Sequence, residues 1–192
     1  MSLIEQDGEE VEPKWVGEVI HFWFEELAET DWFVKNDILD AQIRDRFLAL
    51  HERLAVQTGD PGVNTPRSLV ARVIVLDQFS RNMFRGGPRA FAADPIALRL
   101  SRTAIVQGLD TVTTKQERYF LYLPFEHSEK IDDQVISLNV IQALGDARWT
   151  QYARAHKDII DRFGRFPHRN AILNRVSTPD EIAFLQEPMS SF

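Results

Sequence analysis

Residues 66–84 read PRSLVARVIVLDQFSRNMF, and this stretch constrains the fold more than any other part of the chain. Thr65-Pro66 is a helix-start signal, a hydroxyl cap followed by a proline whose missing N–H is not needed in the first turn. At about 100° per residue, Leu69, Val70, Val73, Ile74, Val75, Leu76, Phe79, Met83 and Phe84 surround nearly the whole circumference. A helix apolar all round has no face to turn to water, so it is expected at the centre of the molecule. The remaining chain must wrap around it.

Polar residues interrupt that helix in one place. Asp77 falls between Val70 and Phe84 on the wheel, and Arg81 lies one turn further on, spaced for carboxylate and guanidinium to meet. Gln78 and Asn82 form a second pair with the same spacing. Charges are rarely taken into an apolar interior without partners. Two readings follow: a buried network that fixes helix register, or side chains that line a cleft.

The wrapping elements also read as helices. After Pro13, WVGEVIHFWFEEL puts Val16, Val19, Ile20, Trp23 and Phe24 on one face. Ile38, Ile43, Phe47, Leu50 and Leu54 follow at near-helical spacing, with Gly59-Asp60-Pro61-Gly62 as the stop. Asp94-Pro95 starts IALRLSRTAIVQ. A further helix begins near Thr114 and carries an aromatic run to Pro124. Ser128 is positioned to cap EKIDDQVISLNVIQAL, and ARWTQYARAHKDIIDRFG comes next. A short helix is expected at NAILNR and a last one at PDEIAFLQ. No segment alternates with period two, so the spacing predicts an all-α fold of about seven to nine helices with no sheet. Residues 1–12 are expected to be a flexible acidic tail, and 13–192 one helical domain, since no long linker divides the chain.

Composition narrows the function classes. The chain has 192 residues, of which 44% are hydrophobic and 27% charged, the balance of a soluble globular protein that buries roughly 70% of its unfolded surface. A formal net charge of −7 argues against nucleic acid or an anionic membrane as partner. There is no cysteine, hence no thiolate chemistry, which fits a cytoplasmic location. The sequence MSLIEQDGEEVEP is no signal peptide, and no apolar run approaches a membrane span. The five histidines form no metal-ligand spacing, and no glycine-rich phosphate loop is present, so neither a metal nor a cofactor is expected.

Two further polar clusters stand among apolar residues. In 147–163 the stripe Trp149, Tyr152, Ala153, Ile159, Ile160 and Phe163 contains His156, either a hydrogen-bonded core residue or a proton carrier. Gly164 is a natural C-cap, and Arg162 and Arg165 suit the negative end of the helix dipole. Beyond it Pro167 stiffens a loop whose donors are His168, Arg169 and Asn170, the last also placed to cap the next helix. Arginine forks beside helix-start amides favour a carboxylate or phosphate, unless acidic residues of the same chain fill those forks. The other cluster is LPFEHSEK at 123–130, where Pro124 is expected to break the helix and turn out Glu126, His127 and Glu129. A histidine beside a carboxylate can handle protons near neutrality; the same residues also suit an interhelical turn.

LDQFSRNMFRGGPRAFAADPIAL, LPFEHSE and RFGRFPHRNAIL, in that order, resemble the bacterial proteins grouped as domain of unknown function 924. The likeness runs from HFWF near residue 21 to STPDEIAFL near residue 185. It implies a superhelical, tetratricopeptide-like all-α fold and carries no activity with it. Two departures occur: Ser80 stands where proline is expected, and Asn174 where glycine is usual.

Two functions fit these residues. One is a pocket for a small anionic ligand, possible for an enzyme, using Asp77, Gln78, Arg81, Asn82, Arg165, His168, Arg169 and Asn170, with His127, His156 and Glu126 for proton handling. The other is an interaction module that takes a peptide or partner helix in a groove. The first requires the two Arg-Asn stretches to meet in space.

Overall fold

The computed structural model describes residues 12–56 and 65–191. The expected tail therefore lies, but for Glu12, outside the described residues, as does the 59–62 stop signal. The described residues are helical with no strand, and form eight helical rods.

The central rod forms as its pattern requires. Thr65 accepts a hydrogen bond from the Ser68 amide through its hydroxyl, and Pro66 opens α3 (Pro66–Val73). The chain then widens into a π-helical turn over Ile74–Gln78 and returns to α geometry in α4 (Phe79–Met83). Every residue from Ser68 to Ser80 is buried. Around the rod pack α1 (Lys14–His21), α5 (Asp94–Val106) and α6 (Lys115–Glu126) on α3, and α2 (Asp37–Val56) on α4. An aromatic cluster joins them: Phe79 contacts Phe22, Trp23 and Phe47 at centroid distances of 5.8, 5.6 and 4.8 Å. Outside this layer, α7 (Ile131–Gln142) packs on both α6 and α8 (Ala147–Phe163). The chain then crosses a loop to α9 (Pro179–Phe184), which is held by a smaller core of Ile159, Ile160, Phe166 and Phe184.

Several local expectations are corrected. Ile38 is exposed and Leu39 takes the buried position, because Asn36 caps α2 by accepting from the amides of Ile38 and Leu39. Pro124 does not break its helix; α6 runs through it to Glu126, which turns inward and is buried. The Ser128 hydroxyl accepts from the Lys130 amide and donates to Asp133, one turn before α7 is under way. NAILNR forms turns rather than a helix: the Asn170 carbonyl accepts from the Arg175 amide at 2.8 Å across a reversal at Asn174. Asn174 has φ of 54°, a left-handed conformation that glycine adopts readily and asparagine tolerates.

Candidate functional site

Asp77 projects from the π turn of the central rod, fully buried. In a regular α-helix, side chains at i and i+1 diverge. Here Gln78 Nε2 nevertheless donates to Asp77 Oδ2 at 2.6 Å. The expected Gln78–Asn82 pair does not form. Asn82 instead donates to Asp40 Oδ1 at 2.7 Å, on the α2 side of the rod.

The other carboxylate oxygen of Asp77 accepts from His127 Nδ1 at 2.7 Å and lies 3.5 Å from Arg81. Burial alone would raise the Asp77 pKa, but the charges of His127 and Arg81 outweigh it and hold the group at about 2. His127 ends α6, and the bond at Nδ1 leaves Nε2 as the ring nitrogen that can meet a ligand. Its neighbour in sequence, Glu126, pairs elsewhere. Glu126 Oε1 lies 3.2 Å from His156 Nδ1, which also donates to the Tyr152 carbonyl at 2.9 Å. Glu126 Oε2 is buried without a hydrogen-bonding partner. Burial, with Asp77 nearby, pushes the Glu126 carboxyl up to about 8, while burial and the His127 charge hold the His156 imidazolium well below its ordinary range. Two carboxylate–imidazole pairs thus stand side by side, their rings 6.2 Å apart.

The arginines meet over one phenyl ring. The guanidiniums of Arg81 and Arg169 lie 4.8 and 4.7 Å from the centroid of Phe91, and Arg169 also lies 4.4 Å from that of Phe166. Arg81 holds Asp94 in a two-point bond at 2.7 and 3.0 Å and donates to the Ala90 carbonyl. Arg169 donates to the His127 carbonyl at 3.0 Å, approaches Asp94 only to 3.8 Å, and keeps a buried Nε without a partner. Burial, together with the Arg81 charge, lowers the Arg169 pKa to about 10. His168, beside Phe166 at 5.7 Å, is held down to about 4 by burial and by Arg169 and Arg81, and its Nδ1 has no partner.

The two Arg-Asn stretches therefore meet through their arginines and part through their asparagines. Asp77, Gln78, Arg81, Glu126, His127, His156 and Arg169 form one connected cluster, and His168 adjoins it through Phe166. Asn82 faces α2, Asn170 donates to Ser177, and Arg165 lies outside, its fork filled by Glu181 at 2.6 and 2.8 Å. Three participants were not anticipated. Asp94 reads as a helix-start residue, which it also is. Phe91 lies in an ordinary turn between helices. Gln134, fully buried on α7, donates to the carbonyls of Glu126 and Ser128 at 2.7 and 2.6 Å and so fixes the turn that carries His127. No sequence signal marks it, because α7 mixes polar and apolar residues throughout. Among the described residues no group of three or more His, Asp or Glu side chains could hold a metal ion, and no helix is long and apolar enough to cross a membrane.

A profile of bacterial proteins of unknown function, DUF924, matches residues 19–189. The chain belongs to the DUF924 family. A solved structure, "Structure of Protein of Unknown Function ATU0120 from Agrobacterium tumefaciens", is 36% identical, with a TM-score of 0.85 over 90% of this chain and 97% of that one. No functionally curated protein matches. DUF924 membership thus fixes the fold and leaves the chemistry to be argued from the cluster.

Proposed function

We propose that the cluster is a binding site for a small anionic ligand, with the equipment to move a proton on it. Arg169 carries this reading. It is a buried cation 4.7 and 4.4 Å from the ring centroids of Phe91 and Phe166, with one nitrogen on the His127 carbonyl and its Nε left unbonded. A buried donor without a partner is costly, and an anion at that nitrogen would satisfy it. The two neighbouring phenyl rings lower the local dielectric and strengthen such a contact.

The acid–base pairs supply the rest. Asp77, ionised across the neutral range, pairs with His127 Nδ1 and leaves Nε2 as the ring nitrogen able to exchange a proton with a ligand. Glu126 keeps its proton at neutral pH and is the complementary acid. Carboxyls pushed apart in this way, one down and one up, mark divided acid and base roles. A peptide-docking module would instead set its determinants on an open face, whereas Asp77, Glu126, His156 and Arg169 are all buried.

A thermal-shift screen against carboxylated and phosphorylated metabolites tests the reading. At least one small anion should raise the melting temperature of the native protein in a saturable way, and Arg169→Ala should abolish the effect while keeping the helical spectrum. Stabilisation by no anion, or stabilisation equal in Arg169→Ala, would reject it.

A further inference from the structure

Resting on the anion-site reading above, we infer that Asp94 is a built-in occupant of the site, and that the ligand is a carboxylate which takes its seat between Arg81 and Arg169. The geometry of the seat points to this class. Asp94 meets Arg81 fork to fork, at 2.7 and 3.0 Å, the planar arrangement that a guanidinium makes with a carboxylate. A tetrahedral phosphate offers the same two oxygens, but brings a second charge and a third oxygen between two phenyl-stacked guanidiniums.

The seat is only half used by its occupant. Asp94 Oδ2 stops 3.8 Å from Arg169 NH1, beyond hydrogen-bond reach, and Arg169 Nε has no partner although its residue is only 6% exposed. Asp94 is the first residue of α5, and its side chain is partly exposed while those of Asp77 and Glu126 are enclosed. A carboxylate tethered at the head of a helix can satisfy one arginine; a free one can sit closer to both. Phe91, in contact with both guanidiniums, forms the apolar wall, so a carboxylate with a short apolar body fits better than a fully hydrated anion.

Competition tests this directly. Melting temperatures of the wild type, Asp94→Asn and Asp94→Ala are followed against acetate and against inorganic phosphate, with ionic strength held constant by sodium chloride. Removing the tethered competitor should lower the half-saturating acetate concentration at least tenfold relative to wild type, and acetate should restore part of the stability lost by Asp94→Ala. Phosphate should act more weakly in both variants. The Asn variant, which keeps shape and one acceptor, preserves the test if the Ala variant does not fold. If the wild type binds anions but neither variant gains acetate affinity, Asp94 is a structural counter-ion only and the inference falls, leaving the anion site intact. Preference for phosphate overturns the carboxylate assignment. If no anion stabilises wild type or variants, the anion site itself fails and this inference with it.

Discussion

His127 Nδ1 lies 2.7 Å from Asp77 Oδ1, a bond that ties the end of α6 to the π turn of the central rod across fifty residues of sequence. The bond joins a fully buried carboxylate to a partly exposed ring, so it belongs both to the packing of the core and to the chemistry of the cluster. Stability and proton affinity at this point are therefore coupled.

Asp77→Ala removes the acceptor of Gln78, His127 and Arg81 together. Leaving Gln78 and His127 without their acceptor, while Arg81 keeps Asp94, is expected to cost about 1–3 kcal/mol. Urea denaturation measures it, and a loss under about 1 kcal/mol would mean that the group behaves as an exposed ion pair.

The cluster also sets opposing pH dependences. The Asp77 pKa is held at about 2, below its unfolded value, so its contribution is present above pH ~4 and is lost as pH falls through that value toward 2. His168, held down to about 4, adds a loss that begins as pH drops below ~6.5, because the unfolded chain then binds a proton that the folded one resists. Glu126 acts the other way. Its folded pKa of about 8 exceeds the unfolded one, so its contribution is greatest below pH ~4.5 and declines as pH rises toward 8. Glu126→Gln should flatten that decline between about pH 5 and 8 in denaturation curves taken across pH. An unchanged slope would show that Glu126 is ionised in the folded protein.

Gln134→Leu keeps volume but removes the donor to the Glu126 and Ser128 carbonyls. The expected loss is about 1–3 kcal/mol, as for other buried acceptors left unpaired. Because that bond holds the turn bearing His127, the variant should also bind any anionic ligand more weakly. Retained affinity with reduced stability would confine Gln134 to a packing role.

Much of this architecture is legible in the sequence, and the limits have physical causes. The circumferential apolar pattern of 66–84 required a central helix, and helix-start signals at Thr65-Pro66, Asp94-Pro95 and Thr114 mark real elements. A wheel of fixed pitch cannot foresee the π turn at 74–78, nor that Gln78 bonds Asp77 while Asn82 crosses to Asp40. Pro124 was misread because a proline looks the same in sequence whether its helix stops or continues. Residue types identified Arg81 and Arg165 as donors, but their partners Asp94 and Glu181 are matched by folding rather than by spacing. Arg169 differs from both in the nitrogen it leaves unbonded, and no pattern of letters carries that difference.

The most direct test of the anion-site account is a ¹⁵N NMR titration of the histidine side chains with acetate at neutral pH. The account predicts that His127 keeps its Nδ1 bond to Asp77, that acetate shifts the Nε2 resonance in a saturable manner, and that Arg169→Ala removes the shift while the helical spectrum persists. A His127 resonance that ignores acetate, or one that responds equally in Arg169→Ala, would contradict it.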